Sequence, residues 1–239
     1  LSLVRVLPKK AGPTVIQMIA REEGLITPAS STASLPSVPI SSSHATGNDI
    51  MQRAARSGAS KEAVTKVTKH LNAVKAQDGK FEKDNAIRVE VEDESDCMRW
   101  TVYISNFWEE SFLARDMRHT GVNEVVLRML FPPDFNFAPP FLYVLHPRFE
   151  RHTGHVTYGG SLCAEFLANS SSKYSWSPTT SIPTLLMSVK DLLQIDGRID
   201  MEYIQRRGGS GEYRRLQQAY TEREATEAFQ IALKNHGWN

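Results

Sequence analysis

Cysteine is nearly missing from this chain: 239 residues carry two, Cys97 and Cys163. So low a count excludes a disulfide-stapled secreted module and leaves two thiols for chemistry. A Cys97–Cys163 disulfide is one option, but a chain of this length does not need it, so free thiols in a reducing compartment are expected. An excess of either charge is missing too. Lys and Arg number 28, Asp and Glu 27, a net charge of +1, so no global field draws the protein to nucleic acid or to an anionic membrane. No apolar run approaches the roughly 20 residues that span a bilayer. The opening Leu1-Ser2-Leu3-Val4-Arg5-Val6-Leu7 is short and is followed by Lys9-Lys10, which is not the order of a secretory signal. The initiator Met is absent, which suggests a fragment of a longer protein. There is no internal repeat.

What is present is average soluble composition, 41% hydrophobic and 23% charged, enough for a sizeable core. Residues 15–24 read as a short helix closed by Gly24. Residues 27–48 are rich in Ser, Thr and Pro and bury too little apolar surface to order, so 1–50 is expected to be a flexible extension and 51–239 the compact domain. Ser60 can cap a helix with Ala63, Val67, Leu71 and Val74 on one face, Lys61, Lys66 and Lys69 elsewhere, and Gly79 as its end. Strands are predicted at 87–91, 100–104, 123–131 and 141–145, with an acidic turn at 92–96. No helical pattern separates them, which indicates an antiparallel meander. Ile182, Leu185, Leu186, Val189 and Leu193 mark a further helix, with Pro183 in its first turn. Gly208 to Gly211 break the chain, and 212–220 and 222–234 read as terminal helices, with Gly237 as a stop. The fold class is α+β.

One thiol has a suggestive setting. Cys163 lies in Tyr158-Gly159-Gly160-Ser161-Leu162-Cys163-Ala164-Glu165-Phe166-Leu167, after a Pro-rich stretch at 131–140 and His146-Pro147, and before Trp176-Ser177-Pro178. A lone cysteine is often only buried packing. His146, His152 and His155 precede it, but their spacing matches no strong ligand pattern, so no metal is expected. A Cys-His nucleophilic pair, as in thiol peptidases, is a rival reading.

With these motifs in order, residues about 55–239 resemble the ubiquitin-conjugating (UBC-fold) family. Phe131 to Pro140 is similar to its stretch between the third and fourth strands, and His146-Pro147 to the start of its His-Pro-Asn motif. Gly160-Ser161-Leu162-Cys163 is similar to its approach to the cysteine, and Trp176-Ser177-Pro178 to its Trp-Ser-Pro element. The run Gly159 to Leu167 is most similar to the divergent Q subfamily.

The resemblance implies that Cys163 accepts ubiquitin as a thioester from an activating enzyme and passes it to a lysine of a substrate protein. A ligase, often RING-type, would assist. No cofactor is implied, and the cytoplasm or nucleus would be its place. Arg148 stands where the family has Asn, a residue thought to stabilise the oxyanion or organise the loop; one such donor is worth about 3–4 kcal/mol. The gap from His146 to Cys163 is longer than usual, so His155 and Tyr158 are donors that the longer loop can bring near the thioester. Asp200, or Asp196 in its stead, would orient the incoming lysine. Phe137 and Pro178 match positions that meet ligases. The helix bearing Lys61 and Lys66 would help meet the activating enzyme. A UBC fold that binds ubiquitin without catalysis is the alternative, motivated by Arg148.

Overall fold

The structure, a computed structural model, describes residues 58–93, 96–170, 172–201 and 219–238. The expectations for 1–50, for Gly208 to Gly211 and for a helix over 212–218 lie outside the described residues.

Helix α1 is Lys61–Asn85. Its cap is Ser60, whose hydroxyl accepts the Ala63 N–H at 3.0 Å while its own N–H bonds Pro133 O at 3.0 Å. Ala63, Val64, Val67 and Val74 are buried, and Lys61, Lys66 and Lys69 are exposed. Gly79 does not end the helix. It has φ 75°, but Phe81 beyond it packs on the core and extends the apolar face. The stop is Ala86, at φ 54°, whose N–H bonds Glu82 O at 2.7 Å.

Strands β1 (Ile87–Asp93), β2 (Asp96–Ile104), β3 (Val125–Leu130) and β4 (Phe141–His146) form one sheet in the order β1-β2-β3-β4, every pairing antiparallel. Val102 faces Val89 on one side and Leu127 on the other, so the inward faces coincide. The acidic stretch at 92–96 is shorter as a turn than expected, because strand pairing runs to Asp93 and resumes at Asp96. Between β2 and β3 stands a helix without a clear sequence signal, α2 (Phe112–Thr120), capped by Ser111 and closed by Gly121 at φ 71°. It has little more than two turns, and one of its buried residues is Asp116, so its apolar period is faint.

Past β4 the chain is irregular up to α3 (Ile182–Asp196), apart from a 3-10 turn at Glu165–Leu167. Ser181 caps α3, Pro183 fits its first turn, and Ile182, Leu185, Leu186, Val189 and Leu193 bury one face. Helix α4 (Glu222–His236) opens on a Thr221/Glu224 capping box and ends at Gly237, at φ 68°. Of the stretch expected to form the preceding helix, Ala219 and Tyr220 are described and are not helical. The buried core runs from the sheet to α1 and α3. Among the described residues no helix is long and apolar enough to cross a membrane.

Candidate active site around Cys163

Cys163 is placed by a hairpin sewn onto the sheet. Val156 bridges Leu162, the Thr157 N–H bonds Ser161 O at 2.9 Å, and Gly160 at φ 92° makes the reversal. The returning arm bonds β4: the Val144 N–H meets Gly160 O at 2.8 Å and the Leu162 N–H meets Leu142 O at 3.0 Å. Ser161 and Leu162 are fully buried. Cys163 therefore sits one residue beyond an arm that the sheet holds. Its own N–H bonds His155 O at 2.7 Å, and His155 Nδ1 donates to Cys163 O at 3.1 Å. His155 is at φ 55°, a conformation that His adopts more readily than most residues, and the paired bonds to Cys163 hold it there. The bonded imidazole nitrogen is thus committed to the cysteine's backbone, not to its sulfur.

The thiol is half-buried on a cavity of about 630 Å³. His155, Tyr158 and Phe166 line one part, Leu192 and Asp196 of α3 another, and α4 supplies a third through Ala228, Ile231 and Ala232. Burial pushes the Cys163 thiol above the ordinary cysteine range. The protonated form is therefore the resting one at neutral pH. Alkylation of Cys163 by iodoacetamide, which needs the thiolate, is expected to rise with pH about a midpoint above that of a free cysteine in the same buffer. A midpoint at or below the free value would show an activating charge beside the sulfur.

The acids sort differently from each other. Asp196 lines the cavity, and its Oδ1 accepts the Gly154 N–H at 2.8 Å. Glu165 lines it as well. Asp200 is not on the cavity wall; it is half-buried, and its N–H bonds Arg148 O at 3.0 Å. Tyr158 is 56% exposed on the rim. His146 lies opposite Val126 in the sheet, and burial lowers its pKa, favouring the neutral ring.

Arg148 is not part of the cavity wall either. Its guanidinium stacks on the Tyr220 ring at 4.2 Å, reaches Glu224 at 3.3 Å and bonds Ala219 O at 3.4 Å. The residue in the expected Asn position thus fastens the chain entering α4. Tyr220 is buried, its N–H bonds Leu145 O at 2.8 Å, and its hydroxyl accepts the Phe149 N–H at 3.1 Å. The Glu224 carboxylate lies below the usual range chiefly because it accepts the Thr221 N–H, so this cap is intact at neutral pH and is lost as pH falls through the lowered value. Arg148→Asn is expected to lower stability by about 1–2 kcal/mol, mostly through the lost stacking, since the ion pair is partly solvent-screened. A thermal melt reads this.

Phe137 is 73% exposed, so it does not pack inward under the prolines; Phe135 does, at 1%. Asn136 joins two loops, since its Nδ2 donates to Pro178 O and its carbonyl accepts Trp176 Nε1–H at 2.8 Å. Phe137 and the exposed Pro178 therefore flank one tied junction. The sequence reading does not bring α4 to the cysteine; in the structure the two meet at the glycine pair. A Cβ on Gly159 would stand 2.1 Å from Glu224 O, and one on Gly160 would stand 2.5 Å from the Tyr220 ring.

No family model matches the chain. Over 159 residues it is 31% identical to human ubiquitin-conjugating enzyme E2 Q-like protein 1, covering 65% of this chain and 88% of that protein. The mouse protein of the same name is 30% identical with the same coverage. Human ubiquitin-conjugating enzyme E2 Q1 is 28% identical over 108 residues, 44% of this chain and 24% of that one. Among solved structures, a ubiquitin-conjugating enzyme E2 from Plasmodium falciparum aligns with TM-score 0.42 at 20% identity, over 69% of this chain and 97% of that one. With nearly the whole of a 31% identical relative matched, the chain belongs to the Q-like family of ubiquitin-conjugating enzymes.

Proposed function

We propose that the chain carries ubiquitin as a thioester on Cys163 and transfers it to a lysine of a substrate protein. The observation that supports this most is the contrast between its two thiols. Cys97 is 4% exposed in the core, whereas Cys163 opens on a cavity at the end of a sheet-anchored arm. In the first step the Cys163 thiolate attacks the thioester carbonyl on the activating enzyme. A new C–S bond forms, the old one breaks, and the departing thiolate takes up the proton that Cys163 gave up. In the second step a lysine amine attacks the same carbonyl, the C–S bond breaks, and the proton leaving the amine restores the Cys163 thiol.

Asp196 is the acid at the end of α3 that faces this chemistry, and we assign it the lysine-orienting role in preference to Asp200. Tyr158 on the rim is the donor left for the developing oxyanion, since His155 Nδ1 serves the backbone. Phe137 and Pro178 would meet a ligase, and the exposed Lys61 and Lys66 the activating enzyme. The setting for such free thiols is a reducing compartment, the cytoplasm or nucleus.

The test is incubation with activating enzyme, ATP and ubiquitin or a related modifier, followed by a non-reducing gel. A thiol-sensitive adduct is the expected result, and its absence with every modifier overturns the reading. The engagement of Arg148 with Tyr220 and Glu224 favours a second reading, a fold that holds ubiquitin without catalysis. Ubiquitin binding that is unchanged by Cys163→Ala, without charging, would establish it.

A further inference from the structure

Past Gly197 the chain leaves α3, and two other parts of the molecule hold it. One is the stretch ahead of the cysteine. Ile199 bridges Phe149, and both are buried. The Glu150 N–H meets Arg198 O at 2.9 Å, the Arg198 N–H meets Thr153 Oγ1 at 3.1 Å, and the Gly154 N–H meets Asp196 Oδ1 at 2.8 Å. The next residue is His155, whose two bonds hold the Cys163 backbone. The other part is α2. One oxygen of Asp116 accepts the Arg198 Nε–H at 2.7 Å and the Ile199 N–H at 3.1 Å, and the guanidinium lies over the Phe112 ring at 5.1 Å.

Asp116 stands among the buried Leu113, Ala114 and Met117 of α2 and is itself buried. A carboxylate in that place adds little to cohesion, because its desolvation offsets most of what the ion pair gains, and an apolar side chain would pack as well. What it adds is direction: one oxygen grips a guanidinium and a neighbouring main-chain N–H, and so sets where residues 198 and 199 lie. These follow closely on Asp196, which faces the cavity of the thiol. Resting on the thioester reading and on the role given there to Asp196, we propose that Asp116 is a positioning residue for the transfer to lysine. It is not on the cavity wall. Through Arg198 and Ile199 it holds the end of α3, and with it the Asp196 carboxylate, where the incoming amine is oriented toward the thioester. A displacement of about 1 Å at such a group is enough to slow an oriented attack severely.

The test charges the protein with modifier and chases it with free lysine over a range of concentrations. A parallel chase uses hydroxylamine, whose amine is uncharged at neutral pH and needs no orienting carboxylate. Wild type is compared with Asp116→Asn, which keeps the size of the side chain and an oxygen for Ile199 but loses the ion pair, with Arg198→Ala, and with the two combined. Cys97→Ala serves as a control that weakens the core elsewhere. Lysine discharge is expected to slow roughly tenfold in each single variant, and no further in the double variant, because one path carries the effect. Charging, iodoacetamide alkylation of Cys163 and hydroxylamine discharge should match wild type, and Cys97→Ala should discharge to lysine normally. Lysine discharge at the wild-type rate in Asp116→Asn overturns the proposal. So does an equal slowing toward hydroxylamine, or in Cys97→Ala, either of which would mark a general loss of structure. Should Asp116→Asn fail to fold, Arg198→Ala, whose side chain is 34% exposed, decides by the same criteria. If wild type accepts no modifier, the thioester reading fails and the proposal with it; normal charging with normal lysine discharge in the variants sinks the proposal alone.

Discussion

Cys163→Ala is expected to abolish the thiol-sensitive adduct completely, while the protein remains folded. The sulfur is half-buried on the cavity and does not hold its own backbone in place; the bonds that do run through the main chain to His155 and survive the substitution. No other described residue offers a comparable nucleophile. Cys97 is 4% exposed within the core, and burial likewise raises its thiol above the ordinary range. Cys97→Ala should therefore charge as wild type does while losing about 1 kcal/mol of stability, the cost of a small core void. A non-reducing gel on the two variants decides the matter. An adduct retained in Cys163→Ala, or lost in Cys97→Ala, would contradict the assignment.

Gly159→Ala is expected to be among the most damaging single methyls in the molecule. The added carbon would lie 2.1 Å from Glu224 O and 2.7 Å from the Ala228 Cβ, so the obstacle is the backbone of α4, which cannot swing aside as a long side chain would. Either the helix backs off or the hairpin does. Overpacking of this kind costs about 1–3 kcal/mol, which lowers the melting midpoint by roughly 2–4 °C per kcal/mol in a domain of this size. The larger consequence is local. A displaced α4 opens the cavity, so Cys163 should alkylate faster and the α4 amides should exchange hydrogen sooner than in wild type. An unchanged melt with unchanged exchange would mean that the two segments are not in contact. Gly160→Ala adds a second penalty, since Gly160 sits at φ 92° against the Tyr220 ring.

The parts of the fold that announce themselves in the sequence are those whose burial follows a simple period. Val89, Val102, Leu127 and Val144 alternate or cluster as strand residues should, and the apolar faces of α1 and α3 repeat at helical spacing. Helix α2 is silent because its packing includes a charge: Asp116 is 4% exposed and binds Arg198 at 2.7 Å, a contact made across 82 positions of sequence that no local pattern encodes. Gly79 misleads for the opposite reason, as a local stop signal that the packing of Phe81 overrides. Cys163 can be singled out by its flanking motifs. Its surroundings cannot, because α4 reaches it from the far end of the chain. Arg148 shows the limit plainly. Its position in the motif is that of an oxyanion donor or loop organiser, but a guanidinium is long enough to find Tyr220 and Glu224 instead.

The glycine pair works as a common datum. Gly160 joins the sulfur's arm to β4, Gly159 seats α4, and the two are adjacent in the chain. Thiol and helix are therefore gauged from the same point, and positional error does not accumulate between them. The stretch between His146 and the hairpin lies outside that closure. It is held instead from the other side, since the Glu150 N–H bonds Arg198 O at 2.9 Å and the Gly154 N–H bonds Asp196 at 2.8 Å, so its position follows the end of α3.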